Sequence, residues 1–133
     1  MVRALRPGRQ SLRAVAESTG VTIIAASGYQ RDAHYPAGHW VHEATVETLA
    51  DRIVTDLERR MHPSDWLDPS LPLDPARAGA IKGGASYHRI SRGERRRLEP
   101  LTAASLRTGT AILVHCEVGT AGWRRSTCIR ASP

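Results

Sequence analysis

The sequence predicts an α/β protein organised around a parallel sheet, on three observations. Apolar runs of strand length occur at residues 21–27, 78–83 and 110–116. Segments with the helical spacing of apolar residues alternate with them. Glycines and capping residues stand at the boundaries. Such alternation implies right-handed crossovers between strands that run the same way. With 133 residues, 41% of them hydrophobic, the chain suits one globular domain. No apolar run approaches the roughly 18–20 residues of a membrane helix. Two cysteines, Cys116 and Cys128, make no disulfide framework. Arg3, Arg6, Arg9 and Arg13 leave no room for the apolar core of a secretory signal. A cytoplasmic protein is therefore expected.

Each element has its own warrant. Leu12, Val15, Ala16 and Thr19 fall at i, i+3, i+4 and i+7, and Gly20 follows as a C-terminal cap, so residues 10–19 read as a helix. The run VTIIAAS at 21–27, ending at Gly28, reads as a buried strand. Residues 29–43 read as a polar, aromatic loop. Thr45 caps a helix over about 46–61, whose face carries Val46, Leu49, Ala50, Ile53, Val54, Leu57 and Met61. Four prolines between 62 and 76 exclude a regular element there. AGAIKG at 78–83 reads as a short strand. Ser91 and Glu94 form the S-x-x-E box of a helix over 92–108, closed by Gly109. Pro100 inside that helix predicts a kink or a break. TAILVHC at 110–116 reads as a third buried strand.

Ligands of parallel α/β folds gather at the carboxyl ends of strands. Gly28-Tyr29, Lys82 and His115 occupy such ends. Lys82 is the only lysine, against 18 arginines. Burial there would favour a neutral amine able to react with carbon dioxide, giving a carbamate that can bridge two divalent metals. The alternative is a lysine reaching from a strand end into solvent. His115 reads either as a metal ligand or as a structural histidine. Cys116 should point away from it by strand alternation, and Glu117 is either an orienting partner or solvated. His39 and His42 share i, i+3 spacing but lie in the loop. Arg92, Arg95, Arg96 and Arg97 read as a solvated helix face, or alternatively as a phosphate-contacting one. The few aromatic residues do not interleave with them, which argues against a nucleic-acid surface. A small basic nucleic-acid-binding module is the alternative function.

The stretches TGVTIIAASGYQRDAHYP, ATVETLADRIVTDL, AGAIKGGASYHRIS and RTGTAILVHCEVGTAG, in that order and at that spacing, resemble the phosphotriesterase family of the amidohydrolase superfamily over about residues 10–122. The resemblance implies a (β/α)8 TIM barrel with a two-metal hydrolytic centre, usually zinc. It makes Lys82 the carboxylated lysine that bridges the metals and His115 the metal-binding histidine of the next strand. It places Tyr29 near the substrate pocket. The implied substrates are phosphotriesters, lactones and other small esters, attacked by a metal-activated hydroxide.

The same resemblance shows what the chain lacks. No H-x-H pair occurs, and no histidine or aspartate follows His115, so four of the six expected metal ligands are absent. About three strands of eight cannot close a barrel, and both sheet edges stay open to self-association. The expectation is a partial barrel over residues 1–122, inactive alone and with no catalytic residue of its own. A non-functional remnant is a further alternative. The tail, WRRSTCIRASP at 123–133, has no helical stripe. With GC-rich codons a shift of one base would read L-E-A-L-D-L-H-P, which suggests a frameshift near Gly122.

Overall fold

The structure is a computed structural model and describes residues 9–62 and 73–120. Most of the proline-rich segment and the whole of the 123–133 tail lie outside the described residues. The elements in chain order are α1 (Arg9–Thr19), β1 (Ala26–Ser27), α2 (Val46–Glu58), β2 (Ala80–Ala85), α3 (Arg92–Thr108) and β3 (Ile112–Cys116). The strands form one parallel sheet in the order β1-β2-β3, as the alternation predicts.

Helix boundaries follow their caps. Gly20, in the left-handed region at φ 72°, donates its N–H to the Ala16 carbonyl and closes α1. The Thr45 side chain accepts from the Thr48 N–H at the start of α2. Ser91 and Glu94 make the full capping box of α3, and Gly109 ends it in the left-handed region.

Five expectations need correction. Helix α2 ends at Glu58 rather than near 61, and Met61 instead bridges to Asp74. The third strand is Ile112–Cys116 rather than 110–116 and is not buried, since Leu113 is 56% exposed. The first strand is not the full run 21–27: only Ala26 and Ser27 pair, and Ile24 is 72% exposed. An apolar run becomes a buried strand only where neighbours cover it, and β1 lies at a sheet edge. The second strand does not stop at Gly83 but continues to Ala85, so Lys82 is the third of its six residues. Its glycines are packing positions. A Cβ at Gly83 would come within 2.5 Å of Leu101 Cδ1, so glycine lets α3 settle on the sheet. Pro100 does not break α3, which runs through it as one 17-residue helix with Pro100 fully buried. Packing of this stripe offsets the missing hydrogen bond.

Helices α2 and α3 pack together on one face of the sheet. Leu49, Ile53, Leu57, Leu98, Leu101 and Ile81 form the centre of the core there. The loop after β1 holds two short 3-10 turns, Asp32–His34 and Trp40–His42, and contributes Tyr29, Tyr35 and Val41 to the same core.

Candidate functional site

The register of β2 on β3 decides which side chains can meet. Lys82 lies opposite Leu113 and Gly84 opposite His115. Successive strand residues alternate between faces, so Lys82, Gly84, Leu113 and His115 share one face. Ile81, Gly83 and Ala85 take the other, which the helices cover. Lys82 and His115 are therefore diagonal neighbours on the face away from the helices. Strand spacing and rise put their Cα atoms about 8 Å apart. Lys82 is half-buried and its Nζ donates to the Gly83 carbonyl at 3.0 Å. His115 is exposed.

Tyr29 sits elsewhere. It is 2% exposed, its hydroxyl donates to the Leu49 carbonyl at 3.0 Å, and its ring meets Trp40 edge-on at 6.5 Å. In the described structure it ties the loop after β1 to α2. His39 caps its own 3-10 turn, accepting from the Val41 N–H at Nδ1, and His42 Nε2 lies 3.5 Å from the Tyr35 carbonyl. The side chains of Cys116 and Glu117 lie outside the described residues.

Among the described residues, no group of three or more His, Cys, Asp or Glu could hold a metal ion. Lys82 and His115 supply two candidate ligands on two strands. A two-metal centre needs more, so the donors of this chain do not by themselves fit it.

The arginine run is not the solvated face expected of it. Arg97 is 3% exposed, pairs with the Asp32 carboxylate, donates from Nε to the Gln30 carbonyl at 3.1 Å and covers the Tyr35 ring at 5.2 Å. Arg96 donates to the carbonyls of His42, Glu43 and Ala44. Only Arg92 and Arg95 are exposed.

The burial of two carboxylates, Glu94 and Asp56, is not anticipated by the sequence reading. Glu94, fully buried, accepts at Oε1 from the Ser86 N–H (3.0 Å), the Ser86 hydroxyl (2.6 Å) and the Asp32 N–H (3.3 Å), and at Oε2 from the Ser91 N–H (3.1 Å). Asp56 accepts the Ser27 hydroxyl at 2.5 Å and the His62 N–H at 2.6 Å, with His62 Nδ1 also 2.6 Å away. The signal was present in both helices. Asp56 lies at i+7 from Leu49, and Glu94 at i−4 and i−7 from Leu98 and Leu101, so both carboxylates stand on apolar stripes. A charge there is buried only when hydrogen-bonded.

Asp32 is partly exposed. Burial alone would raise its pKa, but the hydrogen bonds from Ser91 and Arg97 and the charges of Arg97 and His42 hold its carboxyl below the usual carboxylate range.

Comparison with known proteins sets this geometry in a larger frame. A phospho-furanose lactonase of Mycoplasmopsis synoviae is 30% identical over 105 residues, which cover 78% of this chain and 30% of that protein. The structure of an amidohydrolase from Mycoplasma synoviae aligns with a TM-score of 0.81 and 25% identity, over 92% of this chain and 35% of its own. A phosphotriesterase homology protein from Escherichia coli, solved with phosphate in its active site, aligns with a TM-score of 0.76 and 26% identity, over 92% of this chain and 39% of its own. The chain thus spans about a third of the length of these relatives, and its three parallel strands with flanking helices are part of a TIM barrel. The model of the phosphotriesterase family matches residues 2–131, and the chain belongs to that family.

Proposed function

We propose that this chain supplies one sector of a hydrolase barrel that opens lactone or phosphoester bonds, with Lys82 and His115 as its share of a two-metal site. The observation that carries the reading is their placement as diagonal neighbours on the helix-free face of a parallel strand pair. The only lysine of the chain and an imidazole on the next strand are the donor types such a centre uses. Lys82 would serve as a carbamate and the metal would be zinc. Tyr29 has its hydroxyl engaged by Leu49 and its ring buried in the core, so it would act on the substrate side only through the loop it anchors.

The remaining ligands would come from other strands of a complete barrel, and the chain alone would be inactive. The substrate class is a small lactone, ester or phosphotriester, and the name of the lactonase relative favours a phosphorylated sugar lactone. The setting would be the cytoplasm, and the open sheet edges would promote self-association. Residues 1–122 would form the barrel sector and 123–133 a frameshifted tail, which sequencing the gene around codon 122 decides.

The direct test is an assay of the purified chain with zinc or cobalt, bicarbonate, and aryl phosphotriester or lactone substrates. No turnover is expected, and robust metal-dependent turnover would overturn the claim of inactivity. Co-expression with the complementary strands of a relative should restore activity, and Lys82→Arg or His115→Ala should remove it. Restored activity that survives both substitutions would sink the site assignment.

A further inference from the structure

The loop after β1 approaches the sheet on the face that carries Lys82. Gly28 has φ 138°, and a Cβ there would overlap the Lys82 carbonyl oxygen. At Gly84, on the Lys82 face, a Cβ would meet Gln30 Oε1 at 3.4 Å and the Arg31 N at 3.6 Å. Residues 28–31 therefore form a wall beside Lys82, and something must hold that wall in place.

Two charged side chains of α3 do so. Arg97 holds the Gln30 carbonyl and the Asp32 carboxylate. Glu94 gathers the Asp32 N–H together with the N–H and hydroxyl of Ser86, the residue that follows β2. Ser91 joins them by donating to Asp32. We propose that Glu94, with Arg97, is a positioning residue: it latches the loop after β1 to the end of β2 and so fixes the wall of residues 28–31 beside Lys82. Its relevance to hydrolysis rests on the function proposed above, but the latch is a property of the chain itself.

Because Lys82 is the only lysine, peptide mapping reads the reactivity of its amine apart from that of the α-amino group. The test compares wild-type chain with Glu94→Gln, without metal or substrate. Glutamine still serves the capping box but presents an N–H2 or a weaker acceptor to the donors now held by Oε1. Hydrogen exchange at Asp32 and Ser86 should rise at least tenfold in the variant. Exchange at Ile81 and Val114 should stay within twofold. The rate of Lys82 modification by an amine-selective reagent should change by severalfold, and Glu94→Asp should recover part of both effects. Wild-type exchange at Asp32 and Ser86 with unchanged Lys82 reactivity would overturn the proposal. So would a rise of exchange spread evenly over the sheet. Should Glu94→Gln fail to fold, Ser86→Ala removes one hydroxyl and carries the same comparison: unchanged Lys82 reactivity there overturns the latch. None of these readouts needs a bound metal, and exchange at Asp32 and Ser86 involves neither proposed ligand, so loss of the metal reading leaves the latch standing, and the reverse.

Discussion

The two faces of the sheet are built to different degrees of completion. On the helix side, Ile81 is fully buried, Leu98 and Leu101 fill the space above Gly83, and α2 completes the layer with Leu49 and Ile53. On the other side, Leu113 is 56% exposed, His115 is exposed and Lys82 is half-buried. The covered face is a finished core, and the bare face carries the residues of chemical interest. In a closed barrel the bare face would be the one that further strands enclose. Stability and proposed chemistry thus reside on opposite sides of the same three strands, and substitutions should separate them.

The largest effect is expected where the faces are joined. Gly28→Ala would force an alanine to φ 138° and press its Cβ into the Lys82 carbonyl. Strain of that kind, with a backbone overlap no side chain can relieve, should cost more than about 3 kcal/mol. Loss of the cooperative transition in thermal circular dichroism is the expected result. A melting curve like that of the wild type would mean the loop is not fixed against β2.

Leu101→Ala comes next and probes the covered face alone. A fully buried leucine truncated to alanine typically costs about 2–5 kcal/mol, and the loss should appear as a lower urea midpoint at unchanged slope. In the complemented barrel of the activity assay, the lysine and histidine substitutions should instead abolish turnover with little change in that midpoint.

The same division explains how much could be read from the residues. Helix ends marked by caps were legible nearly to the residue because these signals are local: Thr45, the Ser91–Glu94 box, Gly20 and Gly109 each act on the adjacent turn, whereas the end of α2, which no such signal marks, came three residues earlier than expected. Strand limits depend on partners far along the chain. VTIIAAS has the composition of a buried strand, but pairing reaches only Ala26 and Ser27. Gly83 and Gly84 look like an end, yet they extend β2 because α3 and Gln30 need the space. At the candidate site, residue type and strand assignment singled out Lys82 and His115, whereas their common face follows only from the register. The burial of Arg97 was hidden because a run of arginines looks alike in sequence until one of them meets Asp32.

A moderate effect should come from Asp32→Asn. The substitution keeps the side-chain shape but leaves the buried Arg97 without its carboxylate, a loss on the order of 1–3 kcal/mol at neutral pH. The pH dependence has a definite sign. The folded-state pKa of Asp32 lies below its unfolded value of about 3.9, so its contribution is present above that value and disappears as pH falls through the lower, folded pKa. Wild type and variant should therefore differ in urea midpoint at pH 7 and converge in strong acid. A difference that persists undiminished there would assign the stabilisation to shape rather than charge.

The smallest effect is expected at Leu113, and it sharpens the comparison most. Leu113 is as apolar as Leu101 and is the second of five residues of its strand, yet more than half of it faces solvent. Transfer arguments give little stabilisation for surface that stays wet, so Leu113→Ser should change the urea midpoint by no more than about 0.5 kcal/mol at low protein concentration. If the bare face recruits a second copy, stability of the wild type will rise with protein concentration, and the serine variant will lose that rise while keeping the dilute-limit value. A serine variant as damaged as Leu101→Ala at every concentration would show that the face is already closed within a single chain, and the contrast between the two sides of the sheet would fail.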